Sequence, residues 1–455
     1  MRKRIFLFIS ALCIAGLAGC ELKQVGEPEE PDSPKQELVS GDALHGEQPD
    51  VSNGEFVSED CKQGNSTVLK VENRYLYYSP EKQGICYTDC VTGEDGYLCI
   101  KTECKHDGKE ICVATNERYE IKELRLYNGK LFANVVEETA AKYLFKLLVI
   151  EPDGSEAREL VTYMEAEKTG GLPDGLEGFQ IHRNKAMLPM GVKKTAEDGV
   201  YGLAVVDLNT KEVAYLDKEP LSAENPKTEY IRAYKDCFFY CRQSGKRTVL
   251  YRYHLTNGEV DTHDMLPSFG GAYGLLDEER VIYLMCKEDG KRKGNEFCIH
   301  YLSSGRNEVA KKLTRIYTLG WNSMEDGEPR EIVYSAEWMM LDDTYIYVAE
   351  SVTTGTVEDL TTRNTEEVIL MNVHVYDCDL EMVTTVDFGT VLEDIIPEIG
   401  QYKEAVAKNH CNLSFFADEV YCTITLPEED VVCKCSREEF LTGKPKFELV
   451  RREQK

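Results

Sequence analysis

The chain has 455 residues, of which 42% are hydrophobic and 29% are charged, and its formal net charge is −28. Such an excess of carboxylates repels a phosphate backbone and an anionic membrane surface, which argues against nucleic acid as a partner. The length exceeds that of one ordinary layered domain, so the chain must form either several domains or one closed array of repeats.

The first twenty residues predict export and a lipid anchor. Three basic residues precede an apolar run from Ile5 to Leu17, a signal-peptide pattern that is too short for a membrane-spanning helix. The tetrad Leu17-Ala18-Gly19-Cys20 resembles a bacterial lipobox. The resemblance implies cleavage before Cys20 and acylation of that residue, which would hold the protein on the extracytoplasmic face of the cell membrane. The alternative is an ordinary secretory signal that ends in cysteine.

Residues 20–60 are predicted to form a disordered acidic stalk. This segment consists mainly of Glu, Asp, Pro, Gly and Ser, with hardly an aromatic residue. It cannot bury enough apolar surface to offset the entropy lost on ordering. The folded part is therefore expected in residues 61–455.

The rest of the chain repeats a pattern of four strands. Alternating apolar and polar residues follow tight polar turns, as in NGKLFANVV and DDTYIYVAES, and a second strand ends in another such turn, as in VLYRYHLTNG. The turns carry the Gly, Asn and Asp that hairpins need. The units start near Ser66, Tyr119, Gly178, Tyr230, Gly271, Glu337 and Asn412.

Seven units of four strands predict an all-β fold, a β-propeller with seven blades. A propeller also explains how so long a chain can form one domain, because each blade buries its faces against its neighbours. Two stacked β-sandwiches are the alternative architecture. The weak final strand, FELVR, leaves six or eight blades open as well.

The units resemble those of extracytoplasmic propeller proteins, which read like NGKLYF…LYRIDLDG. The chain is especially similar to uncharacterised β-propeller surface lipoproteins of gut Gram-positive anaerobes, in which a phrase like LCIKTECKH ends the first blade. The resemblance covers about Ser66 to Arg451 and implies the fold. That family offers no established activity to carry over.

The chain lacks the residue motifs on which known propeller activities depend. The Asp-box of sialidases is absent, and two tryptophans, Trp321 and Trp338, are too few for propellers that depend on repeated Trp. Motifs for covalent haem, common zinc proteases and hydrolase nucleophile elbows are also missing. Acidic clusters occur at Asp342-Asp343 and at residues 277–279, but both are predicted in tight turns.

The loops indicate which face of the propeller carries function. The A–B and C–D turns are short, whereas the B–C and D–A connections on the other face are predicted to be long. Insertions confined to one face of a repeat protein usually mark its binding surface. Trp321 and Tyr402 lie in these connections and are the predicted binding residues. A helix-like segment at 392–409 is expected to pack onto the propeller.

Three cysteines and one histidine, Cys99, Cys104, His106 and Cys112, cluster in the phrase LCIKTECKHDGKEIC. Three interpretations are open: one disulfide with a spare thiol, which is the preferred one, a structural zinc site, or free thiols. Four protein ligands would leave no open position for a substrate, so the cluster is structural by either of the first two routes. No other cofactor is predicted.

Two further cysteine pairs, Cys286 with Cys298 and Cys422 with Cys433, are placed where hairpins would let them face each other.

The leading functional hypothesis is a tethered, non-enzymatic module that binds an extracellular protein or glycan through its long-loop face. An enzyme that hydrolyses or lyses glycans with carboxylates at the central channel is the main alternative. A structural scaffold in an envelope complex is the third.

Overall fold

A computed structural model describes residues 68–454 with gaps. The gaps are residues 80–81, 102, 107–111, 113, 116–117, 177, 196–197, 245–246, 266–272, 285–292, 319–331, 343, 355–368, 398–410, 417 and 427–428. In the described ranges, none of the helices has the length and apolar character needed to cross a membrane.

The strands form seven blades in a ring, so the predicted seven-bladed propeller is confirmed. Blade 1 contains β1 (Val68–Val71), β2 (Arg74–Ser79), β3 (Gly84–Asp89) and β4 (Asp95–Tyr97). Blade 2 contains β5 (Tyr119–Tyr127), β6 (Lys130–Glu138), β7 (Lys142–Ile150) and β8 (Ala157–Glu167). Blade 3 contains β9 (Leu172–Pro173), β10 (Gln180–His182), β11 (Lys185–Lys193), β12 (Gly199–Asp207) and β13 (Val213–Tyr215). Blade 4 contains β14 (Thr228–Tyr234), β15 (Cys237–Ser244), β16 (Arg247–His254) and β17 (Val260–Met265).

The last three blades follow the same antiparallel order. Blade 5 contains β18 (Tyr273–Leu275), β19 (Arg280–Leu284), β20 (Lys293–Tyr301) and β21 (Arg306–Thr318). Blade 6 contains β22 (Ile332–Leu341), β23 (Tyr345–Thr354), β24 (Ile369–Asp377) and β25 (Met382–Asp387). Blade 7 contains β26 (Cys411–Phe415), β27 (Glu419–Thr425), β28 (Glu429–Ser436) and β29 (Glu448–Gln454). The weak final phrase FELVR therefore lies in a real fourth strand.

The core is divided among seven apolar clusters, one between each pair of neighbouring blades. Strand geometry explains the division, because successive side chains point to opposite faces of a blade. On β6, Phe132 and Val136 pack against blade 3, while Leu131, Ala133 and Val135 pack against blade 1. Both faces of an inner strand are thus buried, which is why these phrases are nearly continuously apolar.

The helix-like segment after β25 packs onto the propeller as predicted, within the part that is described. A short helix, α1 (Phe388–Val391), begins before the predicted segment, and Leu392 and Ile396 are buried in the core between blades 6 and 7. The remaining residues of the segment, 398–409, lie outside the described ranges.

The ring closes between blades 7 and 1 through side chains. Among the described residues, no strand from the N-terminal side of β1 joins the sheet of blade 7. Lys70 forms ion pairs with Asp418 (3.1 Å) and Glu419 (2.8 Å), and the Tyr75 hydroxyl donates to Glu419. The buried cluster here is small and consists of Tyr75, Phe416, Tyr421 and Val432. Blade 1 is therefore held on this side by a few aromatic contacts and a polar network.

This network makes a pH-dependent contribution to stability. Burial alone would raise the pKa of Glu419, but hydrogen bonds from Lys70, Tyr75 and Lys434 lower that pKa to about 2 from an ordinary value of 4.5. As pH falls between these values, the unfolded chain takes up a proton at this site before the folded chain does, so the free energy of unfolding falls. We expect Glu419→Gln to destabilise the protein near neutral pH and to matter progressively less as pH falls toward about 2.5.

The measurement is urea unfolding of both proteins across that range of pH. A difference between wild type and Glu419→Gln that stays constant with pH would contradict a network held by the ionised carboxylate.

The connections differ from the prediction in two respects. The B–C connections of blades 1–4 and 7 are short, at residues 80–83, 139–141, 194–198, 245–246 and 426–428. The length predicted for that face lies in the D–A connections, at 98–118, 168–179, 216–227, 319–331 and 388–410, and in the B–C connections of blades 5 and 6, at 285–292 and 355–368. On the other face, the C–D connection of blade 7 is long and contains α2 (Arg437–Leu441). Its Phe440 is fully buried, so this insertion completes the core between blades 6 and 7.

Candidate metal centre

Two residues of the connection from blade 1 to blade 2, Leu98 and Ala114, form backbone hydrogen bonds with the same residue of β3, Ile85. The backbone N–H of Leu98 donates to the carbonyl of Ile85 at 2.9 Å, and the N–H of Ile85 donates to the carbonyl of Ala114 at 2.9 Å. An isolated bridge between Gly84 and Thr115 extends this contact. The loop between Leu98 and Ala114 is therefore closed at its base, which brings Cys99 and Cys112 together although they are far apart along the chain.

Two glycines allow the close backbone approaches around this base. A Cβ on Gly84 would lie 2.8 Å from Cγ2 of Thr115, closer than real Cβ atoms come. Gly154, in the C–D turn of blade 2, has φ +76°, and a Cβ there would lie 2.6 Å from the carbonyl oxygen of Leu98. The turn of blade 2 thus rests on the start of the loop, which ties the loop to both blades.

The four predicted residues, Cys99, Cys104, His106 and Cys112, converge. Their sulfur and ring-nitrogen atoms all lie within 4.8 Å of one another. Nδ1 of His106 is 3.4 Å from Sγ of Cys112, and the imidazole ring stacks on Tyr97 with ring centroids 4.5 Å apart. His106 has a left-handed backbone, with φ +53°. Cys112 is buried and the other three are half-buried.

The pKa values of the two thiols at the ends of the loop are shifted in opposite directions. Burial opposes ionisation of Cys112, but hydrogen bonds from Thr115 and His106 lower the pKa of its thiol to about 6. Burial raises the pKa of Cys99 to about 11, and the neighbouring sulfur of Cys112 adds to this effect. The surroundings therefore favour the thiolate form of Cys112 and oppose the thiolate form of Cys99.

The donor set suits a tetrahedral ion that prefers sulfur and nitrogen. Zinc binds cysteine sulfur at about 2.3 Å, which places two sulfurs of one tetrahedron about 3.8 Å apart. A group whose donors span 4.8 Å needs only a small contraction to reach that geometry. Four protein ligands saturate such an ion, so the centre has no position for a substrate. Cys99, Cys104 and Cys112 are all thiols in the structure, and the preferred disulfide interpretation of this cluster stays a prediction.

Several other predicted residues lie outside the described ranges. Cys20, Trp321 and Tyr402 are not described, and neither is Cys286, the predicted partner of Cys298. Cys422 and Cys433 do lie directly opposite each other on β27 and β28, as predicted. Both are thiols buried in the core between blades 6 and 7.

The acidic clusters in the tight turns form ion pairs with neighbouring blades. Asp342 pairs with Arg437 of blade 7. Glu279 lies 3.2 Å from Arg252 of blade 4, and Glu278 lies 2.9 Å from Lys235 of the same blade. These carboxylates therefore join blades to one another on the tight-turn face.

One arrangement in blade 4 was not predicted. Sγ of Cys237 is 3.4 Å from Nδ1 of His254, whose Nε2 is 2.9 Å from a carboxylate oxygen of Asp261. This order resembles a cysteine–histidine–aspartate triad. Cys237, however, is buried in the core beside blade 5, and burial raises its pKa, which is the opposite of what a nucleophilic thiol needs. No local sequence signal identifies the arrangement, because its residues lie on three different strands.

Comparisons with known proteins indicate the fold alone. No family model and no curated protein matches the chain. Among solved structures it is similar to a chain from a study of two prolyl endopeptidases, with 13% identity and a TM-score of 0.48 over 88% of this chain. This chain spans about half (51%) of that chain.

Two shorter proteins are similar at the same level. The β-propeller domain of the Trilobed protease from Pyrococcus furiosus, described as having an open velcro topology, has 10% identity and a TM-score of 0.39, covering 70% of this chain and 83% of that chain. An uncharacterised protein from Listeria monocytogenes has 9% identity and a TM-score of 0.38, covering 71% and 80%.

Proposed function

We propose that this β-propeller is a recognition module, tethered outside the cell through lipidated Cys20, and that it binds a protein or glycan with the face formed by its D–A connections. The acidic segment at 20–60 would act as the stalk between the lipid and the propeller. Neither the anchor nor the ligand depends on the centre at Cys99–Cys112, which has no open coordination position.

The unequal connections of the ring carry this proposal. The A–B turns are short in every blade, for example residues 128–129 and 235–236, whereas five of the D–A connections are much longer. Loops mounted on a rigid scaffold are the usual place for recognition, because the scaffold bears the cost of ordering the chain. The long connection on the opposite face, at 437–447, packs into the core between blades 6 and 7. The difference in free loop length between the two faces therefore remains.

The tight-turn face is also committed to holding the ring together. Arg252 bridges Asp261 of its own blade and Glu279 of blade 5, and Arg437 bridges to blade 6. A surface whose charged groups are already paired has less to offer a partner, since each pair would have to be broken or covered.

The test compares Trp321→Ala, in the connection before blade 6, with Asn128→Ala, in the A–B turn of blade 2. An aromatic anchor in an interface commonly contributes about 2 kcal/mol or more, so we expect Trp321→Ala to weaken binding about 30-fold. Asn128 has φ +50°, so alanine there should cost some stability but leave binding unchanged. The readout is signal on a glycan array and on immobilised surface proteins, after circular dichroism confirms folding.

Tyr402→Ala provides a second variant in another long connection. Equal loss of binding from Asn128→Ala and Trp321→Ala would mean that the recognition face has been misassigned. Unchanged binding by both Trp321→Ala and Tyr402→Ala would remove the D–A face from the proposal.

A further inference from the structure

We propose that Cys99, Cys104, His106 and Cys112 bind one Zn²⁺ ion, and that this ion fastens blade 1 into the ring. The inference is independent of the proposed recognition function. It concerns how the first blade is kept in place.

The geometry of all four donors favours a metal. Three sulfurs and an imidazole nitrogen lie within 4.8 Å of one another, so every residue of the group contributes one donor to the same small volume. A disulfide would use two of the sulfurs and leave the third sulfur and the histidine beside it without a role. A tetrahedral zinc ion uses all four, and thiolate with imidazole is the ligand set that zinc prefers in closed sites.

Contacts outside the four donors hold the site in place. Ile85 donates a hydrogen bond to Ala114 at one end of the loop and accepts one from Leu98 at the other, and Tyr97 stacks on the imidazole of His106. His106 has a left-handed backbone, and its Nδ1 lies 3.4 Å from Sγ of Cys112. Such support outside the ligands orients them and lowers the entropy lost on binding the metal.

The position of the site explains what the ion would do. Cys112 is buried in the core between blades 1 and 2, together with Leu98 and Ala114 from the same loop and Leu124 and Ile150 from blade 2. The ion would therefore pin the loop that fills this interface. A structural ion contributes its binding free energy to folding, so the interface would be stabilised by metal.

Blade 1 has a small contact with its other neighbour. Its outer strands β1 and β4 contain four and three residues, and its other side meets blade 7 through the small cluster around Tyr75 and Tyr421. In many rings a strand from one end of the chain completes the blade at the other end. Here, within the described residues, blade 1 and blade 7 are each built from one continuous piece of chain. The zinc site would secure the side of blade 1 that faces blade 2.

Elemental analysis of the exported protein, purified with a reductant and without chelator, tests the ion directly. We expect one zinc per chain, falling below one tenth in Cys104→Ser and His106→Ala. His106→Cys, which supplies a fourth thiolate, should retain the ion. The matched control is Cys378→Ser, the same substitution at an exposed cysteine of blade 6, which should keep full occupancy.

A second experiment needs no variant and therefore no assumption that a variant folds. Removal of metal from the wild-type protein by a chelator should lower Tm by several degrees, and Zn²⁺ but not Mg²⁺ should restore it. Hydrogen exchange should then speed up in β1–β4 and in residues 98–118, with little change in β14–β17 of blade 4.

Four results would overturn the proposal. They are a disulfide between any two of the cluster cysteines in the native protein, iron in place of zinc, alkylation of the cluster thiols as fast as Cys378 after zinc is supplied, and metal content unaffected by Cys104→Ser and His106→Ala. Zinc that binds as expected but whose removal speeds exchange equally in all blades would refute its role in holding blade 1.

Discussion

Deletion of blade 7, by ending the chain at His410, is expected to yield an aggregating protein without a cooperative unfolding transition. The deletion would uncover the blade 6 side of the core cluster between blades 6 and 7. Its members there are Met340, Tyr347, Ala349, Val373, Val375, Val386, Phe388, Leu392 and Ile396. Each large apolar side chain contributes about 1.5–3 kcal/mol when buried, so the loss is on the order of 10 kcal/mol, comparable with the whole stability of a domain.

The deletion would also leave blade 1 without its second neighbour, because Lys70 and Tyr75 would lose Glu419. The measurement is solubility together with size-exclusion chromatography and thermal unfolding. A chain that ends at Arg452 serves as the control, since it removes only the outermost pairs of β29 and should fold normally. A soluble, cooperatively unfolding product without blade 7 would show that the blades are independent of ring closure.

Arg125→Met is expected to lower the free energy of unfolding by about 3–5 kcal/mol, which is a large loss for a single substitution. Arg125 is 1% exposed, and its guanidinium lies 2.7 Å from the fully buried carboxylate of Glu123. The same carboxylate accepts hydrogen bonds from the backbone N–H groups of Gly178 (2.6 Å) and Phe179 (3.0 Å), and Arg125 donates to the carbonyl of Phe179. Methionine fills similar space but leaves the buried charge of Glu123 without its cation.

Chemical denaturation measures the effect, and two further variants interpret it. Arg306→Met removes an arginine from an exposed pair with Glu308, for which we expect less than about 1 kcal/mol. Addition of Glu123→Gln to Arg125→Met should recover part of the loss, because the uncompensated charge is gone while one amide oxygen still accepts a hydrogen bond. A double variant less stable than Arg125→Met alone would show that the charge is not the source of the cost.

Arg125 and Glu123 also show that the apolar–polar pattern of a strand does not predict which charged residues are buried. In the phrase YEIKELRLY the two residues resemble the polar, outward positions of a strand, and nothing marks them as buried. A bulge between Ile121 and Glu123 shifts the register, and the groups that satisfy Glu123 belong to the connection entering blade 3. Burial of a charge depends on partners that only the folded ring supplies.

The connections show the same limit in a different form. The turn residues predict each hairpin correctly. Where the sequence is irregular, however, the pattern does not show where a strand ends. β21 and β22 are longer than their sequence pattern indicates, and they shorten the D–A connection before blade 6 to residues 319–331. These extensions are strands because they pair with neighbours, Thr318 with Lys293 and Ile332 with Thr354, and such a pairing has no local signal.

Local patterns along the chain were enough to predict the fold class, the number of blades and the membership of the cysteine cluster. Hairpin turns need particular residues, and strands with two buried faces need nearly continuous apolar runs, so these features are written in short stretches of sequence. Folding of the ring was needed to show that both ends of the loop from Leu98 to Ala114 meet at Ile85, which brings the three thiols and the imidazole within 4.8 Å. It was also needed to show closure through Lys70 and Glu419, because this contact joins opposite ends of the chain, and no local interaction can specify partners so far apart in sequence.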